Sequence, residues 1–377
     1  MNAVATPTTA VTTATDVVGA APEGRGRDTV LDLVRAGALV VVVAWHWAFT
    51  TLRWDDGPRI GNPTGETPGL WLATWCLQVM PLFFLVGGSL HASSLRRATT
   101  TRDDAAFVRG RFGRLVPPVL PLLALAVAVG LGGAALGRDD VVRGVVLMIT
   151  PLWFLATYLV LVLLAPLARR VHRSCGLWAV SAGAVLVAVV DRLTWAGHID
   201  GVAPMLAEYV LTWAVVHQLG FHLGSLRSGP RTARWATCLG GFALLAVGVR
   251  WLGYPPSMVG THTDPISNMS PPNLMVVFLA LAQMGLLAIA DPHLRRWTDR
   301  HRGLLGTAGA WSMTVYVWHM LALAAFWGIA VVVIGPVHDR VDGTWWLQRP
   351  VWLVGPLLVA LPLFSLTRPD RGPRRAA

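Results

Sequence analysis

The 377-residue sequence contains no lysine, only three cysteines and four tyrosines, and only 14% charged residues, where a soluble domain carries about a quarter. The scarcity of charge excludes an ordinary water-soluble globule. Cys76, Cys175 and Cys238 lie far apart, with neither a CxxC pair nor a haem-attachment motif, so neither a disulfide framework nor a cysteine metal site is indicated. HExxH, GxSxG, the P-loop and a GxGxxG between strand and helix are also missing, which removes zinc protease, serine hydrolase and nucleotide-hydrolysing readings. The alternating strands of a transmembrane barrel are absent as well.

What is present is apolar: 54% of the residues, with a mean hydropathy of +0.55. These residues fall into runs of roughly 17–25, each long enough to cross ~30 Å of hydrocarbon as a helix. The runs lie at about 29–51, 68–91, 115–136, 145–167, 175–191, 203–226, 235–252, 273–291, 306–334 and 350–366. The pattern predicts an all-α polytopic transmembrane bundle of about ten spans. The ninth run exceeds one straight crossing, so it tilts or conceals a break. Residues 1–28 read as a disordered tail without the charged and apolar regions of a removable leader. Residues 29–366 form the membrane domain, and 367–377 a basic tail.

All 31 basic residues are arginine, against 20 acids, for a net charge of +11. They sit between the apolar runs, so they mark topology rather than a nucleic-acid surface. One alternating set of segments holds 22 of them and the opposite set 8, with Arg35 inside the first run. The positive-inside rule then places both termini in the cytoplasm of a multi-pass plasma-membrane protein, and an even number of spans agrees. No internal repeat of the inverted-transporter kind is visible.

Ionisable groups inside hydrocarbon are costly, which makes them the best functional pointers. Arg35 and His46 stand eleven residues apart in the first run. Eleven steps of ~100° overshoot three turns by only ~20°, so both project from one face, separated by ~16 Å along the axis. A snorkelling Arg35 and a His46 bonded to a neighbouring helix are the bland alternative, but His46, between two tryptophans, lies too deep to snorkel. Arg111 and Arg114 share a helix face just before Pro117 and Pro118; paired guanidinium groups suit a phosphate-bearing ligand, and a loop setting topology alone explains them too. Ser312, Tyr316 and His319 form a polar stripe in the ninth run, open to interhelical hydrogen bonding or to function. Glu208 near the end of the sixth run partners a cation or sits among headgroups, while His217 and His222 point about 140° apart and share no face.

Five segments in order, DLVRAGALVVVVAWHW, MPLFFLVGG, FVRGRFGRLVPP, PLWFLATYLVLVLLAP and WSMTVYVWH, resemble the acyltransferase 3 family of integral-membrane acyltransferases over about residues 28–366. The departure is Gly88 in the FFLVGG segment, where relatives commonly carry Ser-Gly. The resemblance implies that His46 is the essential catalytic histidine, that Arg35 supports it or the donor, and that Arg111 and Arg114 engage the donor. Trp153 in the fourth segment joins Ser312, Tyr316, His319 and Glu208 as site-lining candidates. It further implies cytoplasmic acyl-CoA as co-substrate, with neither metal nor cofactor, and O-acylation, as by acetyl, of a glycan or small-molecule hydroxyl. His46 then acts as general base or takes the acyl group itself. Many relatives carry a further extracytoplasmic domain; here the chain stops about ten residues after the last run, so delivery is expected to be direct or through a separate partner. A transporter, and behind it a haem protein using His46, His217 and His319, are the competing readings.

Overall fold

The computed structural model describes residues 28–366 apart from 54–58, 262–263, 265, 336 and 339. The expected tails at 1–28 and 367–377 therefore lie outside the described residues, except for Asp28. Its carboxylate accepts from Leu31 N at 3.3 Å and caps α1 (Thr29–Phe49), satisfying one of the donors that every helix start leaves open. A short antiparallel hairpin, β1 (Thr51–Arg53) and β2 (Arg59–Gly61), follows outside the bundle.

The second apolar run is broken into α2 (Trp71–Leu77) and α3 (Met80–Ser94). Pro81 has no N–H, and its ring clashes with the Leu77 carbonyl four residues back, so one continuous helix is unavailable there. The freed groups at the break are taken up by side chains. Gln283 Nε2 donates to the Gln78 carbonyl at 2.7 Å, Met80 N donates to Gln78 Oε1 at 3.2 Å, and Gln78 Nε2 reaches the Met258 carbonyl at 3.3 Å. Non-helical backbone at membrane depth is tolerated where protein satisfies it in this way.

Helix α4 (Thr101–Leu115) starts on a reciprocal capping box between Thr100 and Asp103, which fixes the helix that carries Arg111 and Arg114. Next come α5 (Leu120–Ala135) and α6 (Asp139–Ile149). The run expected at 145–167 is displaced: Pro151 cannot donate to the preceding turn and ends α6, and α7 extends over Leu152–Cys175. Helix α8 (Leu177–Trp195) leads to α9 (Val202–Gly220), α10 (Leu223–Ser228) and α11 (Arg231–Trp251). Asn273 caps α12 (Leu274–Arg300). Helix α13 (Arg302–Ile334) is continuous over 33 residues, about 50 Å at 1.5 Å per residue, so the ninth run contains no break. Helix α14 (Gly343–Leu366) begins seven residues before its expected start at 350. The charge that shortened the expectation, Arg349, is absorbed locally: its guanidinium stacks 3.7 Å above the Trp345 ring and donates to the carbonyls of Trp345 at 2.8 Å and Ala48 at 3.1 Å.

Among the described residues, nine helical segments are long and apolar enough to cross a membrane. Helix α9 is not one of them, because Glu208, His217 and Gln218 depress its hydropathy. All three are buried, and α9 packs at the centre of the bundle against α3, α7, α8 and α12. It is held there at very close range. A Cβ at Gly88 would lie 1.9 Å from the His217 carbonyl oxygen, and one at Gly220 would lie 2.0 Å from that of Leu85. Small residues let two backbones meet in this way inside a membrane, so in this chain no side chain fits at Gly88 or Gly220. The periphery is the reverse: Leu120, Val127, Leu131, Val185 and Leu186 are exposed on α5 and α8, as lipid-facing residues are in an integral membrane protein.

Several arginines counted as topology markers are braces. Arg227 pairs with Asp28 at 2.8 Å and Asp291 at 3.0 Å, and Arg295 pairs with Asp291 at 2.7 Å. Arg169 pairs with Asp104 at 3.1 Å and also donates to the Ala98 carbonyl at 2.6 Å. These contacts tie α1, α10 and α12 to one another, and α4 to α7, on the arginine-rich side of the bundle.

Candidate active site

The bundle encloses a cavity of about 830 Å³ running from Arg35, Arg111 and Arg114 to His46, with Trp153, Ser312 and Tyr316 also in its wall. The arithmetic on α1 holds: Arg35 and His46 face the same space from two levels. Seven of the nine residues singled out from the sequence therefore meet. His319 stands behind His46 rather than in the wall, and Glu208 lines a separate cavity of about 350 Å³.

His46 is oriented by a chain of two bonds. Its Nδ1 lies 3.1 Å from His319 Nε2, and His319 Nδ1 lies 2.7 Å from the Tyr316 carbonyl oxygen. A carbonyl only accepts, so His319 Nδ1 carries the hydrogen. With both rings neutral, His319 Nε2 is then the acceptor, and His46 Nδ1 must donate to it. That leaves the lone pair of His46 on Nε2, the nitrogen not engaged by His319. The pair is fixed from outside by Trp47 Nε1, which donates to the His319 carbonyl at 2.9 Å, and Arg349 clamps the same end of α1 through Ala48.

At the opposite end, three guanidinium groups converge on the cavity. Arg111 donates to Ser94 Oγ at 3.0 Å and stacks over Phe107 at 5.4 Å, while Arg35 lies 5.9 Å from the Phe83 ring. Planar, permanently charged groups around a partly enclosed opening are suited to bidentate binding of phosphate oxygens. Between the two ends the wall is aromatic. Trp153 stacks on Trp213 at 6.0 Å and meets Tyr209 edge-on at 6.0 Å, and Phe154 packs against Tyr316 at 5.8 Å. Tyr316 itself donates to the Pro151 carbonyl at 2.8 Å.

Sequence reasoning missed a second imidazole pair. His91 Nδ1 lies 2.9 Å from His217 Nε2, and Tyr158 OH lies 3.1 Å from His91 Nε2; both histidines are buried and Tyr158 reaches the cavity wall. The sequence carries a signal for it, since His91 is an ionisable residue at the edge of the second apolar run. His222 makes a different contact, edge-on to His172 at 4.5 Å. Both His46–His319 and His91–His217 are in direct hydrogen-bond contact. Among the described residues no cluster of three or more metal-ligating side chains exists.

The fold and this cavity define a polytopic membrane protein that brings an oriented imidazole to one end of a chamber and a basic cluster to the other. A family model described as an acyltransferase domain matches residues 28–365, and the chain belongs to that family, acyltransferase 3: it is an integral-membrane acyltransferase. No curated protein and no solved structure matches the chain.

Proposed function

We propose that the protein transfers an acyl group, acetyl being the simplest case, from acyl-CoA to a hydroxyl of a glycan or small molecule, with the arginine-rich side facing the cytoplasm of the plasma membrane. The observation that carries this reading is the hydrogen-bond chain that leaves His46 Nε2 free as a base. In the proposed reaction Nε2 removes the acceptor's O–H proton as the oxygen attacks the thioester carbon. The carbon–sulfur bond then breaks, and the departing thiolate recovers the proton from the imidazolium. Arg111 and Arg114 hold the donor's phosphates, Arg35 supports them at the next level, and the aromatic wall keeps water from the thioester.

The test is transfer of radiolabelled acetyl from acetyl-CoA by the purified full chain to added hydroxyl acceptors. Label should appear in the acceptor with the intact protein and be lost with His46→Ala, which should still insert into membranes. Undiminished transfer by that variant would overturn the assignment.

A further inference from the structure

One polar group in the wall of the large chamber takes no part in the proposed reaction. Tyr158 reaches the wall from α7, while His91 of α3 and His217 of α9, 0% and 1% exposed, stand in line behind it. Tyr158 OH lies 3.1 Å from His91 Nε2, and His91 Nδ1 lies 2.9 Å from His217 Nε2. Two adjacent glycines of α3 make room for this line: a Cβ at Gly87 would fall 2.8 Å from Tyr158 Cε2, and one at Gly88 would strike the His217 carbonyl oxygen. Phe107, edge-on to His91 at 5.2 Å and under the Arg111 guanidinium at 5.4 Å, joins the line to the basic end.

With both rings neutral, two arrangements of hydrogen satisfy the line. In one, Tyr158 donates to His91 Nε2 and His91 Nδ1 donates to His217 Nε2, which leaves the phenol oxygen facing the chamber as an acceptor. In the other, His217 Nε2 donates to His91 Nδ1, His91 Nε2 donates to the phenol oxygen, and the Tyr158 O–H is released to donate into the chamber. The other three tyrosines, Tyr209, Tyr254 and Tyr316, donate to a carbonyl or a carboxylate oxygen and point one way only. Tyr158 is backed by a pair that can reverse without moving a heavy atom, so it serves a ligand carbonyl and a ligand N–H alike.

The level of Tyr158 in the chamber narrows the ligand. Ser94, which accepts from Arg111 at 3.0 Å, follows His91 by three residues of α3, or ~4.5 Å. Helix α7 runs the other way: it begins after Pro151, which accepts from Tyr316 OH at 2.8 Å, and ends at Cys175 on the arginine-rich side. Tyr158, seven residues past Pro151, therefore lies ~10 Å nearer the arginines. It stands about one helical turn inside the guanidinium cluster. A secondary amide offers a carbonyl and an N–H from one plane, and coenzyme A carries two amides between its diphosphate and its sulfur. That arm has about thirteen bonds from phosphorus to sulfur, or ~15 Å extended, and its first amide begins ~6 Å from phosphorus. The arm thus matches the ~16 Å between Arg35 and His46, with an amide at the level of Tyr158. Resting on the acyl-CoA reading, we propose that Tyr158 binds the pantetheine amide nearer the phosphates, and that the His91–His217 pair sets its hydrogen to suit. Tyr158 is a binding residue and His91 a positioning one; neither exchanges a proton with His46.

Calorimetric titration of the purified full chain with two probes tests this: CoA, and ADP, which carries the diphosphate but no arm. Tyr158→Phe removes one oxygen and keeps the ring, so it should fold; it should weaken CoA about three- to tenfold, the loss of one hydrogen bond, and leave ADP unchanged. Arg111→Ala should weaken both probes. His91→Phe, which takes away the backing of the phenol, should match Tyr158→Phe, and His91→Gln, whose amide presents either an oxygen or an N–H, should recover most of the loss. CoA affinity untouched by Tyr158→Phe, or ADP affinity falling in step with it, overturns the contact and leaves the acyl-transfer reading in place. An intact protein that fails to bind CoA overturns the donor reading and this contact with it. CoA binding that responds to Tyr158→Phe, in a protein whose acetyl transfer survives His46→Ala, would refute the catalytic reading while leaving the contact standing.

Discussion

Replacing His319 with phenylalanine removes the acceptor that fixes the ring of His46 and leaves volume and stacking nearly intact. The His46 ring lies 5.2 Å from that of His319, close to parallel, so an aromatic substitute keeps the packing. What is lost is the partner of a buried N–H at 3.1 Å. An unsatisfied buried donor costs about 1–3 kcal/mol, and the ring escapes that cost by shifting its hydrogen to Nε2 or by rotating, either of which withdraws the base. The competent fraction should therefore fall roughly 5- to 150-fold, by the same free energy. The assay is steady-state acetyl transfer: kcat should drop by that factor with the KM for acetyl-CoA unchanged, because the basic cluster begins with Arg35, ~16 Å along α1 from His46. His319→Gln should recover most of the loss, since its amide oxygen accepts from Nδ1 without being able to accept a proton in its place. Unchanged kcat in His319→Phe, or a glutamine variant no better than phenylalanine, would refute the reasoning.

The other expectations concern the donor end and the frame. Arg111→Ala with Arg114→Ala should raise the acetyl-CoA KM at least about tenfold, since each bond to a charged group contributes about 1.5–3 kcal/mol, and should flatten its salt dependence; an unaltered KM would return both residues to a topological role. Gly88→Ala places a methyl group 1.9 Å from a backbone carbonyl and should lower the melting temperature sharply or abolish folding, whereas Gly37→Ala, with nothing within 4 Å of the new atom, should be neutral or stabilising by about 0.5–1 kcal/mol. Arg227→Ala removes one of the two arginine partners of Asp291 and leaves Arg295, and should destabilise by about 1.5–3 kcal/mol in a thermal melt of the detergent-purified protein; the exposed Arg302→Ala should not.

The parts of this site legible in the sequence are those governed by one helix. The shared face of Arg35 and His46, the adjacency of Arg111 and Arg114, and the stripe of Ser312 and Tyr316 all follow from 3.6 residues per turn. The parts that were not legible depend on which helices are neighbours. Nothing in the spacing of His46 and His319 says that 273 positions of chain bring them into contact, and the same is true of His91 and His217. Proline explains the boundary errors: Pro81 and Pro151 interrupt apolar runs that hydropathy alone joins, and Pro166, Pro292 and Pro356 sit within continuous helices because neighbouring groups relieve the lost bond. His91 obeys the same rule as His46, because α3 carries the second run on to Ser94.

The hydrogen-bonded line behind His46 terminates at the main-chain oxygen of Tyr316. An amide oxygen is not basic enough to accept a proton and hand it on, so that line is a dead end rather than a wire to either aqueous phase. Whatever charge His46 gains during a turnover has to be discharged where it was acquired, onto the departing sulfur. The cycle should then be electrically silent, running at the same rate whether the membrane is energised or not.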